Sequence, residues 1–178
     1  IMQLLLSQTY LFDKTRIDSN VDFDKLVPLI EDVQFLKIKP LLGNNLYQEI
    51  LTQSTPVATL TAANQILLDD YILPCMVRYF LADAVIPFKF NYTNIGITSK
   101  NSENSQQIES ADIKDLTNYW RNKADEYGTL MQNFIRANVA DYPAFETNEG
   151  LDQKKPDKNS YNLDIYLPDL YNNDLERI

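Results

Sequence analysis

Between Asn64 and Phe88 the chain reads NQILLDDYILPCMVRYFLADAVIPF, and a helix drawn through it carries apolar or aromatic side chains on nearly every side. A helix that is oily all round belongs inside a core. Asp69, Asp70, Arg78 and Asp83 lie within the stretch. Each would cost about 2.5 to 3.5 kcal/mol at a bilayer centre, so the stretch reads as the spine of a soluble core and no membrane partner is expected. Pro74 removes a backbone donor in its middle, which predicts two helices or one kinked helix, bent at Leu73 and Pro74.

Two amphipathic stretches are suited to shield that spine. Phe23, Leu26, Val27, Ile30, Val33 and Leu36 form an apolar stripe. They predict a helix capped by Asp22 or Asp24 and running to about Lys37, with Pro28 tolerated in its first turns. Ile113, Leu116, Trp120, Ala124, Tyr127, Met131 and Phe134 recur by threes and fours and predict a helix from about Ser110 to Asn138. Asp112 and Asp115 suit its N-terminal dipole, and Gly128 either admits a close neighbour or weakens the helix. Trp120 sits on the apolar stripe and is expected against the spine rather than at an interface.

From Ile38 to Ile50 the sequence is IKPLLGNNLYQEI. Pro40 disfavours helical geometry at Lys39, Gly43 suits a left-handed cap, and Asn44 or Asn45 can cap a new helix bearing Leu46, Tyr47 and Ile50, so a sharp helix-to-helix elbow is expected. A linker from Gln53 to Thr61 follows, with Thr61 available to cap the spine. Ahead of all this, Met2 to Phe12 reads equally as a short strand or an apolar arm laid on the core.

After the spine, Phe88, Phe90 and Tyr92 alternate with Lys89 and Asn91, and the rhythm continues less cleanly through Ile95 and Ile97. This predicts either a small projecting strand or hairpin or a surface loop folded back on the core, before a polar, mobile loop from Thr98 to Gln107. Beyond the last helix, Glu149 to Ser160 reads as a linker. Tyr161, Leu163, Ile165 and Leu167 then alternate with Asn162, Asp164 and Tyr166 before Pro168, and Leu170 and Tyr171 follow. An isolated alternating strand fits addition to a sheet on a neighbour; the alternatives are a tail draped over its own bundle or disordered. The expected fold is mainly all-α: an antiparallel bundle of four to five helices (residues 21–148) with a small strand or hairpin element. An N-terminal arm (1–20) precedes it and an extended C-terminal tail (149–178) follows.

Composition narrows the chemistry. The 178 residues suit one domain, and the net charge of -9 argues against a grip on phosphate backbones or anionic lipid. The absence of His excludes a Ser-His-Asp triad, a Cys-His pair and imidazole metal ligands. Cys75, the only cysteine, lies in the apolar spine as a small buried hydrophobe and excludes an internal disulfide. Residues 1–12 lack a basic leader, so no secretory signal is expected. The carboxylate pairs Asp69/Asp70 and Asp125/Glu126 point about 100° apart on a helix, and Asp83, Asp112 and Asp115 read as solvated faces. No Gly-rich phosphate loop, Cys cluster or nucleophile elbow is present. No enzyme activity, cofactor or metal is expected.

The Leu- and Ile-rich opening helix, the K-P-L-L-G-x-x-L-Y elbow, the spacer and the long Tyr-containing apolar helix together resemble the small head-tail connector proteins of tailed bacteriophages. The likeness is nearest to those of phages infecting Bacteroidota, including the crAss-like group. Asn94, Ile95, Gly96 and Ile97, followed by Ser102, Glu103, Asn104 and Ser105 before the last long helix, extend it over about residues 22–138. The resemblance implies a helical bundle that assembles as a homo-oligomeric ring, a dodecamer, between the portal protein and the tail or further connector rings. DNA would pass through without specific binding. The implied location is the portal vertex of the virion, with assembly in the host cytoplasm. The candidate contact residues are Phe90, Tyr92, Ile95 and Ile97 with Tyr161, Leu163, Ile165, Tyr166, Leu167, Leu170 and Tyr171. Two other readings stay open: an adaptor or inhibitor that holds a host protein through its tail, and a metal-dependent nuclease using Asp69 or Asp83.

Overall fold

The structure, a computed structural model, describes residues 3–18, 20–55, 59–93, 96–99 and 110–145. Among these residues the fold is all-α, with five helices. They are α1 (Gln8–Lys14), α2 (residues 27–42), α3 (Asn44–Gln53), α4 (Ala62–Lys89) and α5 (Ser110–Ala137). A 3-10 turn, Phe23–Lys25, precedes α2, and two more, Val139–Asp141 and Pro143–Phe145, follow α5. Between α4 and α5 the strands β1 (Phe90–Thr93) and β2 (Gly96–Ser99) pair antiparallel, Phe90 opposite Ser99 and Thr93 opposite Gly96. Thr98 and Ser99 thus belong to a strand rather than to the expected loop, whose remainder lies outside the described residues.

The spine is one helical rod. Thr61 caps it, its Oγ1 accepting from the Asn64 N–H at 3.2 Å. Its irregularity is a π-helical segment, Leu67–Ile72, closed where the Leu73 N–H donates to the Leu68 carbonyl five residues back. Proline offers no N–H and its ring crowds the carbonyl four residues earlier, here that of Asp70; the wider π spacing just before Pro74 accommodates this without ending the helix. The same device recurs in α2, where Gln34–Ile38 is π-helical, the Lys39 N–H donates to the Gln34 carbonyl, and Pro40 follows inside the next turn. The expected break at Lys39 is therefore absent, and helix α2 runs on to Leu42.

Among the described residues, helices α4 and α5 form the most extensive interface, and they run antiparallel. Tyr71 stacks on Phe134 with centroids 4.3 Å apart, the Arg78 guanidinium lies 4.6 Å from the Tyr127 ring centroid, and the Tyr79 hydroxyl donates to Asp125 at 2.6 Å. As the residue number rises along α4 it falls along α5. Gly128 sits where α2 crosses this pair: a Cβ there would meet Leu41 Cδ1 at 3.1 Å, so the glycine admits a close neighbour. By length and composition, α4 is the one helix among the described residues that could cross a membrane; half of its most apolar window is buried in the bundle.

The N-terminal residues belong to this core. Leu5, Leu6 and Leu11 are buried with Ile30, Ile38, Leu42, Leu46, Ile50, Ile72 and Phe80. Residues 3–6 have no helical or strand pairing of their own; the side chain of Gln34 supplies it. Gln34 Oε1 accepts from the Leu5 N–H at 2.8 Å, and Nε2 donates to the Gln3 carbonyl at 2.8 Å. Residues 3–6 lie on the core as the arm reading expected, but Gln8–Lys14 is a helix, capped by the Ser7 side chain, which neither reading of Met2 to Phe12 foresaw.

Candidate functional site

Each position of the elbow motif has a physical task. Lys39 Nζ lies 4.6 Å from the Phe35 ring centroid, Leu41 packs on Gly128, and Leu42 and Leu46 are buried. Gly43 stands at φ 76° and ψ 161°, a region open essentially to glycine alone. It ends α2, its N–H donating to the Lys39 carbonyl, and starts α3, its carbonyl accepting from the Tyr47 N–H. The conformation is an extended one with positive φ rather than the expected left-handed cap, and neither Asn44 nor Asn45 is the N-cap, because α3 begins at Asn44 itself. Tyr47 is buried, its hydroxyl 3.0 Å from Gln34 Nε2, so elbow, arm and π segment meet at one side chain.

A second polar lock closes the far side of the elbow. Buried Asn64 donates through Nδ2 to Glu49 Oε1 at 2.7 Å and to Gln53 Oε1 at 2.9 Å, and Gln53 Oε1 also accepts from the Thr61 N–H at 3.1 Å. The end of α3 is thereby tied to the start of α4. The Tyr142 hydroxyl donates to the Ala63 carbonyl at 2.8 Å while its ring leans on Phe134, which brings the end of the described chain back to the same place.

The opposite end of the α4/α5 pair is built differently. Among residues 111–123 of α5 none is buried; Ala124 is the first that is. Ile86 is 50% exposed, Leu116 41% and Tyr119 51%, and the β1–β2 hairpin springs from between these helices. Trp120 corrects the expectation that it packs against the spine: it is partly exposed, lies outside the buried core, and meets the exposed Tyr119 edge to face at 5.0 Å. The 3.6-residue rhythm of α5 was read correctly, but rhythm does not say how far along its length a helix has a partner.

The candidate contact residues fall as follows. Phe90 and Tyr92 are on β1 and Ile97 on β2, with Tyr92 opposite Ile97. Ile95 and the tail residues Tyr161, Leu163, Ile165, Tyr166, Leu167, Leu170 and Tyr171 lie outside the described residues. Sequence reasoning passes over Gln34 and Asn64, which with Gln132 are the buried amides among the described residues. Gln34 reads as lying off the apolar stripe of its helix, and Asn64 stands beside Gln65 in the first turn of the spine, so neither carries a signal of burial.

Reactive chemistry finds the following setting. Cys75 is buried with its Sγ 3.5 Å from the Ala124 carbonyl, and burial, reinforced by the negative charge of Asp125, pushes its thiol from 9.0 up to about 12. Burial and the bond to Asp125 likewise raise the Tyr79 phenol. Asp69 accepts from the Gln65 side-chain amide at 2.6 Å, and among the described residues no three His, Cys, Asp or Glu side chains gather where they could hold a metal ion.

The polar clusters described here join one helix to the next, and exposed apolar side chains are spread over the bundle, from Ile66 and Val139 to Ile86, Leu116 and Tyr119. The molecule is a helical-bundle protein with one end closed by polar locks and one, the open end, where α5 has no buried residue ahead of Ala124. The chain belongs to a family described only as Family of unknown function (DUF6712), whose model matches residues 38–155, from the elbow to beyond the last described turn. Searches of curated proteins and of solved structures return no match.

Proposed function

We propose that the protein is a structural subunit of a tailed-phage virion, a head-tail connector that assembles as a ring between portal and tail. The observation that supports this most is the elbow. The residues that carry the connector resemblance are the ones that turn α2 into α3 around Gly43 and seat Tyr47 on Gln34. The elements that carry the resemblance, opening helix, elbow, spacer, long apolar helix and final long helix, follow one another in that order along the chain, which supports the reading. A bundle whose elbow and helix starts are locked by buried side chains, and whose other end leaves Ile86, Leu116 and Tyr119 exposed, suits a rigid unit that fastens to like units.

The net charge of -9 supports a wall past which duplex DNA slides, since a Lys- and Arg-rich lining would hold it through counterion release. The purified chain is expected to leave duplex DNA unshifted in a gel at moderate salt; nanomolar, salt-sensitive binding contradicts the lumen role. The deciding experiment is the mass of the chain in solution and its presence in purified virions, with electron microscopy of the assembled form. Rings in solution and the chain at the portal vertex are expected. A monomer absent from particles and bound to one host protein refutes the reading in favour of an adaptor or inhibitor.

A further inference from the structure

An isolated two-stranded hairpin is marginal in water, and its outer edges present unpaired backbone groups. The β1–β2 hairpin is such an element: it forms a two-stranded sheet, so among the described residues no third strand completes either edge. It follows α4 directly at the open end of the α4/α5 pair, the end that also carries Ile86, Leu116 and Tyr119, each between two-fifths and just over half exposed. A strand with one apolar face would satisfy both needs, pairing its backbone with the hairpin edge and laying its side chains on this shelf.

The chain contains one segment of that chemistry outside the described residues. Tyr161, Leu163, Ile165 and Leu167 alternate with Asn162, Asp164 and Tyr166. We propose that residues 161–167 of one subunit add as a third strand to the β1–β2 hairpin of a neighbouring copy. The inference rests on the connector reading only for the premise that copies of this chain meet.

Reach decides between the chain's own hairpin and a neighbour's. The described chain ends at Phe145, close to Tyr142, whose hydroxyl holds the Ala63 carbonyl at the start of α4. The hairpin lies at the other end of α4, 28 residues away, a rise of about 42 Å. Residues 146–160 lead from Phe145 to the alternating segment, and a flexible chain of that length spans about 20 to 25 Å on average. Docking onto its own hairpin would stretch the linker to roughly twice its relaxed span, whereas a neighbour can bring its hairpin within range.

The test uses two variants of the full chain. Ile165→Pro removes a backbone donor from the incoming strand, and Tyr92→Pro disrupts the receiving hairpin. The wild-type chain is expected to self-associate, by native mass spectrometry and light scattering. Each variant alone is expected to be monomeric with an unchanged helical circular dichroism spectrum. An equimolar mixture should form a heterodimer and nothing larger, because only one intact tail and one intact hairpin remain. Amide exchange should show residues 161–167 protected in the wild-type assembly and unprotected in Tyr92→Pro. A monomeric wild type, an Ile165→Pro chain that assembles like wild type, or variants that fail to complement each other would each overturn the inference. The connector reading stands or falls separately, on whether the chain is found in virions.

Discussion

Replacing Gln34 with Ala is the most direct probe of how the arm, the first π segment and the elbow are held together. The side chain is fully buried and makes three hydrogen bonds: it accepts from the Leu5 N–H and donates to the Gln3 carbonyl and the Tyr47 hydroxyl. At about 0.5 to 1.5 kcal/mol for each bond, their loss alone amounts to roughly 1.5 to 4.5 kcal/mol. If the arm stays in place, the buried Leu5 N–H is left without a partner, which adds about 1 to 3 kcal/mol. If it lifts off, Leu5 and Leu6 return to water at about 1.5 to 3 kcal/mol each. The chain takes the cheaper route, so a loss of at least about 2.5 kcal/mol is expected. For a chain of this size that lowers the melting temperature by at least roughly 5 to 10 °C.

Urea denaturation followed by circular dichroism measures the loss, and amide exchange at Leu5 reports whether the arm has lifted. Gln34→Glu supplies the control. It keeps the acceptor for Leu5 but faces the Gln3 carbonyl with a carboxylate, and burial raises the pKa of such a group. The raised folded-state value means that protonation restores a donor, so this variant should regain stability as pH falls, opposite to ordinary acid denaturation. A Gln34→Ala chain within about 1 kcal/mol of wild type, with Leu5 still protected, would refute the account of the arm.

Gly43→Ala should cost about 1 to 3 kcal/mol by urea denaturation, because alanine is strained at φ 76° and ψ 161°. Asn64→Ala removes the donors that Glu49 and Gln53 accept from, and about 2 kcal/mol is expected; a double-mutant cycle with Gln53→Ala should show the two effects to be coupled rather than additive. The Cys75 thiol, raised from 9.0 to about 12, should resist thiol reagents in the native state at neutral pH. A folded-state pKa above the unfolded one means that its contribution to stability is complete below pH 9 and is lost as pH rises from about 9 through about 12, which urea midpoints measured across that interval will show.

The helices were legible where hydrophobic rhythm and end signals agreed. Thr61 caps the spine as its position suggested, and α5 runs from Ser110 to Ala137, within a residue of the expected end. Pro40 misleads as a local breaker, and at Pro74 the two-helix alternative gives way to one helix, because a π segment just ahead of each proline lets helix geometry pass through. That accommodation depends on the surrounding packing. Tyr47 reads as an apolar residue of α3, yet its hydroxyl makes a bond that depends on where Gln34 is carried by a different helix. Trp120 shows the limit from the other side: its periodicity was right, but burial depends on the length of the partner, and α4 has no buried residue beyond Ala84.

The ends of the α4/α5 pair differ in how their order is sustained. At the closed end, Asn64, Tyr142 and the Tyr71–Phe134 stack tie four segments of the chain together, so the backbone entropy of the turns is offset by burial and hydrogen bonds within one subunit. At the open end, the residues of α5 ahead of Ala124 must be ordered at a similar entropic cost while none of those described is buried. A helix that short is marginal alone, and this one is extended from the well-packed second half of α5. Regions with few buried apolar contacts occupy the low-stability end of a fold, where partners most easily alter the conformational balance. Added burial on Leu116, Tyr119 and Ile86 therefore stabilises the end of the pair where α5 has no buried residue of its own, whereas at the closed end Asn64, Tyr142 and the Tyr71–Phe134 stack already hold the backbone.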